Sequence, residues 1–410
     1  MERVVITGLG AISALGVGAD INFSAALAGR SAIGLLDAAL GGDLSCGLAA
    51  QIRFPLPDLI RKAEASQFDR FALLAWAAAK EALEQAGLSA GSADLERSGV
   101  FWGTGMGGAQ TVDAGYHDLL GAEKKRLRPF SVVAGMNNAA AAQIGLKASF
   151  GGTVNTYSSA CVSSAQAIGE ACRHIRHGYA SRILAGGSDA MLTKGVLGAW
   201  DAMRVLASTD AGHPERSCKP FSQDRTGLVL GEAGAAVMLE SLSSARARGA
   251  VILAELAGYG SSNDATHITK PSPAGQARAM QMALADAGLP ETAIAYINAH
   301  GAGTPAGDLA ETQSIKQVFG AHAAALMVSS TKAVHGHTMG AAGALECVLA
   351  VQALLQQAVP PTAFLDRPDP ECDLDFVPGV GRVGRQLGAV MSNSFAFGGS
   401  NAALIVKRFA

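Results

Sequence analysis

The chain predicts an α/β fold assembled from two similar halves, and three observations carry that expectation. Short β-branched runs ending in glycine alternate with Ala-rich stretches, the signature of layered α/β proteins. A short echo, Gly234-Ala235-Ala236-Val237-Met238-Leu239 against Asn401-Ala402-Ala403-Leu404-Ile405-Val406, follows a glycine-bearing turn each time. The 410 residues are 49% hydrophobic and only 16% charged, against about 25% charged in an average globular chain. With a mean hydropathy of +0.24, that balance fits a large core plus a buried subunit interface and excludes a disordered chain.

Taken in order, Val4–Thr7 reads as a buried strand running into a glycine turn, too short for the apolar core of a secretory signal. Phe71–Gln85 reads as a helix, Val100–Trp102 and Thr153–Tyr157 as strands, Val162–His177 as a helix closed by Gly178, and Ile183–Ala185 as a strand. Polar and basic Ser241–Gly249 is the natural joint between an N-terminal half, residues 1–245, and a C-terminal half, residues 250–410. Strands at Val251–Leu256, Ile294–Asn298 and Met327–Ser329 then alternate with helices at Gly275–Ala287, Ala306–Phe319 and Met339–Gln357. Ala commits these segments to helix because it loses no side-chain entropy. No apolar run reaches the roughly 18 residues of a membrane span.

A net charge of −2 gives no basic field for nucleic acid. Six scattered cysteines without a C-x-x-C pair fit a reduced cytoplasm. The run Lys124-Lys125-Arg126-Leu127-Arg128 is the local exception, either a solvated loop or a docking patch for an acidic partner.

Cys161 falls between a strand and a helix, where unpaired backbone N–H groups favour a thiolate. The helix tip supplies at most about 2 kcal/mol, so the pKa falls by about 1.5 units at most from about 8.5, and neighbouring bases must finish the activation. Cys161 is therefore either a small apolar filler or a nucleophile. His300 and His337 each follow a strand and sit among glycines, where α/β sheets gather reactive groups. His335 and His337 lack a third ligand at suitable spacing, which leaves no zinc site. The turn Ser392–Asn401, with Phe395 and Phe397 beside Gly398-Gly399, suits a movable flap better than a phosphate cradle.

These pieces together resemble the condensing enzymes of fatty-acid and polyketide synthesis, of the β-ketoacyl-[acyl-carrier-protein] synthase I/II type. The motifs are Ser159-Ala160-Cys161, Asn298-Ala299-His300-Gly301, Lys332-Ala333-x-x-Gly336-His337-x-x-Gly340-Ala341-Ala342-Gly343 and Phe395-x-Phe397-Gly398-Gly399, and the similarity spans the chain. The resemblance implies a duplicated thiolase-like α/β/α/β/α five-layer sandwich acting as a homodimer, or paired with a homologous subunit. It implies decarboxylative condensation of an acyl primer on Cys161 with a malonyl thioester. His300 and His337 would stabilise the enolate, Lys332 and Glu346 would orient them, and the Cys161 and Phe397 N–H groups would form the oxyanion hole. Met106, Trp200, Phe395 and Phe397 would line or gate the acyl channel, and Thr304 would bind pantetheine. Arg61, Lys62, Lys124, Arg126 and Arg204 would dock the acyl carrier protein, which brings its own phosphopantetheine; no other cofactor is required. Asn298, Glu346, Ser392 and Asn393 match positions where some relatives hold a monovalent cation.

Three positions depart from the pattern: Ala302 replaces a Thr, Ala396 a Gly, and Val162 a smaller residue. They remove no catalytic group and point to a specialised pathway rather than housekeeping elongation. A degradative thiolase would need a second cysteine in the final turn, a starter-condensing enzyme an Asn at His337, and an inactive chain-length-factor-like subunit typically lacks the nucleophile.

Overall fold

The computed structural model describes residues 2–42, 44–57, 59–89, 91–92, 95–121 and 126–410. The first half comprises β1 (Val4–Ser13), α1 (Arg70–Gln85), β2 (Ser98–Gly103), α2 (Ala139–Ala148), β3 (Val154–Tyr157), α3 (Ser163–Arg176), β4 (Arg182–Asp189) and β5 (Ala233–Ser241). The second repeats the series with β6 (Ala254–Asn263), α4 (Pro273–Ala287), β7 (Ile294–Asn298), α5 (Pro305–Phe319), β8 (Met327–Ser329), α6 (Ala342–Gln356), β9 (Ala389–Phe395) and β10 (Ser400–Lys407).

Strand order makes the duplication explicit. From one edge it runs β3-β2-β4-β5-β1, then in mirror sequence β6-β10-β9-β7-β8, in one 11-stranded sheet that also includes Gly16–Val17. Two register pairs, Val5 with Glu255 and Ile6 with Ala254, join the halves at β1 and β6. The echo seen in sequence is β5 against β10. Each pairs with its neighbour through a register shift at the equivalent place, between Ile6 and Gly8 in β1 and between Leu256 and Gly258 in β6. The adjacent glycines have a shared purpose. A Cβ at Gly8 would lie 2.0 Å from the Ala82 carbonyl oxygen of α1, and one at Gly258 would lie 2.3 Å from that of Ala283 on α4. The same helix-on-strand approach is built twice.

The layers follow from what each helix touches. α1 packs on β1 and β5, and α4 on β6 and β10, as outer layers. α3 contacts β2 and β4 of the first half and β6 and β10 of the second; α6 contacts β5, β9 and β10. These two helices form the middle layer of an α/β/α/β/α sandwich, and one hydrophobic cluster runs through both halves. α6 is buried from Ala342 to Leu354 on every side, as a helix between the two halves of the sheet must be. With the preceding turn, Met339–Gln356 is 18 residues long and apolar enough to cross a membrane, contrary to the sequence reading, but it is 89% buried inside the protein.

Two boundaries differ from expectation. The strand placed at Val251–Leu256 starts at Ala254 and continues to Asn263, because Gly258 and Gly260 hide strand character that the helix contact requires. The joint at Ser241–Gly249 contains a helix, Leu242–Ala247, whose first turn is capped by Ser241.

Candidate active site

The nucleophile candidate lies where β3 turns into α3. Ala160 adopts φ 51°, a left-handed conformation costing an L-residue roughly 1–2 kcal/mol, within the short turn Ala160–Val162. Ser163 braces it: the Ser159 N–H donates to Ser163 Oγ at 2.8 Å, and Ser163 Oγ donates to the Ala160 carbonyl at 2.6 Å. Cys161 is buried at 5% exposure. Burial pushes its thiol up to about 12, against the pull of the Lys332 charge. The partly ionised thiol expected from the helix tip is therefore corrected. A tip worth at most about 2 kcal/mol does not offset desolvation, and the resting sulfur is a neutral thiol.

His300 follows β7, and His337 follows β8 and the short helix Lys332–His335. The Cys161 sulfur and ring nitrogens of both histidines lie within 4.8 Å of one another. The third donor that sequence spacing did not offer thus arrives from the other half. Hydrogen bonds fix what the rings present. The Met339 N–H donates to His337 Nδ1 at 2.9 Å, and the Lys332 ammonium approaches His300 Nδ1 at 3.5 Å. With Nδ1 accepting, neutral imidazole carries its proton on Nε2, which makes the pair N–H donors rather than metal ligands. Burial first, and the Lys332 charge second, hold both rings well below the ordinary histidine range. His335 is a structural residue whose nitrogens meet the Gly336 carbonyl at 2.8 Å and Thr331 Oγ1 at 2.9 Å.

Lys332 is fully buried, and its ammonium also donates to the His300 carbonyl at 2.6 Å and to Glu346 Oε1. Burial pushes the Glu346 carboxyl up while Lys332 opposes it. Glu311, which the sequence reading missed, accepts from the His300 N–H at 2.9 Å and the Gly301 N–H at 2.7 Å. Asp308 takes the Gly303 N–H at 3.1 Å and the Phe221 N–H at 2.8 Å. Both acids lie on the buried face of α5, directly after the His300 turn, and charged residues in an otherwise core-facing pattern were the available signal.

A cavity of about 350 Å³ reaches Cys161, His300 and His337. Trp200 and Phe397 stack at 6.0 Å along it, and Phe395 lies 6.1 Å from the His300 ring. Thr304 lines the wall, and its hydroxyl also caps α5 by accepting the Gly307 N–H at 3.3 Å. The Phe397 N–H has no acceptor among the described residues. Arg204 lines the mouth, while Arg61, Lys62 and Arg126 are exposed elsewhere. Lys124 lies outside the described residues. Met106 does not line this cavity: its side chain is 39% exposed and only its backbone is tied inward. Ala396 sits at negative φ with its N–H on the Ser400 carbonyl, so the replacement of glycine costs no strain.

Asn298, the last residue of β7, is the register partner of Ser392 in the middle of β9. Both Asn298 side-chain atoms, Ser392 Oγ, Asn393 Oδ1 and Glu346 Oε2 are buried without hydrogen-bond partners. Orphaned buried oxygens of this kind suit a hard monovalent cation.

A buried thiol facing two imidazole N–H donors, at the foot of an apolar cavity between duplicated halves, defines a condensing enzyme of the thiolase fold. Residues 1–245 match the beta-ketoacyl synthase N-terminal domain and residues 253–366 its C-terminal domain. Nodulation protein E of Rhizobium sp. (strain N33) is 44% identical over 408 residues, 99% of each chain. The 3-oxoacyl-[acyl-carrier-protein] synthase 2 of Staphylococcus aureus (strain COL) is 38% identical over 411 residues, covering 100% of this chain and 99% of that one. Among solved structures, a type II PKS ketosynthase in complex with its acyl-carrier protein and bound to the hexaketide superposes with a TM-score of 0.92 at 30% identity, over 100% of both chains. The chain belongs to the beta-ketoacyl synthase family, and is an acyltransferase-type enzyme of elongating condensation.

Proposed function

We propose that Cys161, His300 and His337 divide the two stages of this condensation between them. The observation that carries the reading is their convergence within 4.8 Å at the floor of one cavity. In the first stage Cys161 Sγ takes the acyl group from the carrier thioester, and the cysteine proton ends on the departing carrier thiol. In the second stage malonyl thioester loses CO₂, and the electron pair released becomes an enolate whose oxygen accepts from the Nε2–H of both rings. The enolate carbon attacks the acyl thioester, and the tetrahedral oxyanion accepts from the Cys161 and Phe397 N–H groups. Collapse frees the Cys161 sulfur, which recovers a proton.

Lys332, anchored by Glu346, keeps both imidazoles neutral and His300 aimed. A monovalent cation held by Asn298, Glu346, Ser392 and Asn393 would pin the carboxylate that anchors Lys332. Phosphopantetheine belongs to the carrier, with Thr304 along its path, and no other cofactor is required. Ala302 and Val162, together with the higher identity to nodulation protein E than to the 3-oxoacyl synthase, support a specialised acyl chain. Supplied with a panel of acyl-carrier primers and malonyl carrier, the protein should yield CO₂ and β-ketoacyl products two carbons longer, read by mass spectrometry. Arg126→Glu with Arg204→Glu should raise KM for the carrier in a salt-sensitive way at nearly constant kcat. No extended product with any primer refutes the condensation; a flat KM reduces the basic residues to solvated surface.

A second copy of this chain covers the outer side of β3. That strand ends the sheet order, Val154 on it is exposed, and Leu120, Phe130, Val132 and Met136 on the preceding segments are exposed as well. Val132→Asp is expected to lower the sedimenting mass from two 41.5 kDa chains toward one, whereas a wild-type monomer rules the homodimer out. The compartment proposed is the cytoplasm, supported by six unpaired cysteines.

A further inference from the structure

Asp189, the last residue of β4, touches none of the reacting groups, yet its buried carboxylate accepts four hydrogen bonds. Oδ1 takes Thr104 Oγ1 at 2.8 Å and the Met106 N–H at 3.1 Å. Oδ2 takes the Gly105 N–H at 2.8 Å and the Gly340 N–H at 2.6 Å. Three donors belong to the loop after β2, and the fourth to the turn after His337. The two segments touch through their backbones: a Cβ on Gly340 would lie 2.3 Å from Gly105 N.

Between His337 and Gly340 sits a strained residue. Met339 has φ 50°, in the left-handed region that a Met side chain rarely occupies. Its N–H is the donor that reaches His337 Nδ1. Relaxation of Met339 toward negative φ would swing Gly340 against Met339, and the Asp189 bond to the Gly340 N–H opposes that swing. A carboxylate is suited to the task because it offers only acceptors to four converging donors.

We infer that Asp189 is a positioning residue: through Gly340 it holds Met339 where its N–H fixes the Nε2–H tautomer of His337. Through Thr104, Gly105 and Met106 it also ties that tautomer to the loop after β2. The inference rests on His337 acting as an N–H donor to the enolate. It places a determinant of the decarboxylation step on a strand of the opposite half.

Asp189→Asn tests it, because an amide must turn its NH₂ either toward the Gly105 and Gly340 N–H groups or toward the Met106 N–H and the Thr104 hydroxyl, so at least one N–H loses its acceptor whichever way it faces. Malonyl-thioester decarboxylation should fall about 10- to 100-fold, less than for outright loss of an oxyanion donor, while acyl transfer to Cys161 changes by no more than about threefold. Nitrogen NMR of histidine-labelled protein should show His337 Nδ1 unprotonated in the wild type and partly protonated in the variant. Met339→Gly, which removes the strain, should shrink the effect of Asp189→Asn when the two are combined. Asp189→Glu keeps the charge and should recover part of the decarboxylation; if Asp189→Asn does not fold, it supplies the same readouts at smaller amplitude. Equal losses in both half-reactions, or an unchanged His337 tautomer, overturn the inference and leave the condensation intact. A wild-type His337 protonated on Nδ1 instead overturns its reading as an N–H donor.

Discussion

Cys161→Ala is expected to lower condensation by roughly 10⁴-fold or more, the scale on which enzymes lose rate when their nucleophile is removed. The acyl adduct, seen as an intact-mass increase after a single turnover with acyl-carrier thioester, should vanish with it. The sulfur lies in the cavity within 4.8 Å of ring nitrogens of both imidazoles. Folding should survive, since the replacement removes one buried atom and no hydrogen-bond partner of the Ser163 brace. Malonyl decarboxylation should persist, because the enolate donors are untouched. An adduct that remains in the variant would place the nucleophile elsewhere.

His300→Ala should do the reverse. Acylation of Cys161 continues, and CO₂ release from malonyl thioester falls by about 10²–10³, the cost of one oxyanion donor in a preorganised site. The wild-type rate should also show no acid step near the ordinary histidine pKa of about 6.5. The sign follows from the direction of the shifts. Both rings are held well below their ordinary value, so they remain neutral donors as pH falls through that region. Lys332→Met removes a charge that depresses both rings, and an acid step should then move up toward about 6.5. That variant also strands Glu346 in the core, and loss of one partner of a buried ion pair costs about 3–5 kcal/mol. A thermal-stability measurement therefore accompanies the pH profile. An acid step already present in the wild type, or unchanged CO₂ release in His300→Ala, would remove the neutral-donor mechanism.

The fold was legible where local chemistry sufficed. β7 and β8 match their expected bounds, Ile294–Asn298 and Met327–Ser329, and each apolar run ends in a polar turn. The β5–β10 echo exposed the duplication through side-chain volume alone. β6 was misplaced because its glycines answer to a helix on another part of the chain. The same division runs through the site. Cys161, His300, Lys332 and His337 stand out in sequence by their turns, while Asp189, Asp308 and Glu311 do not. Their importance lies in backbone N–H groups that arrive from distant segments.

By itself the sequence determined the strands and helices that carry Cys161, His300 and His337, which residue types could carry acyl transfer, and the family whose motifs they compose. Periodicity, turn chemistry and short spacings are local, so one chain read in order contains them. Only the tertiary structure decided that sulfur and imidazoles from opposite halves share one cavity, that the thiol rests neutral, and which nitrogen of each ring carries its proton. Those are consequences of desolvation and of donors brought in from elsewhere, and both depend on what surrounds an atom in space rather than on what precedes it in the chain.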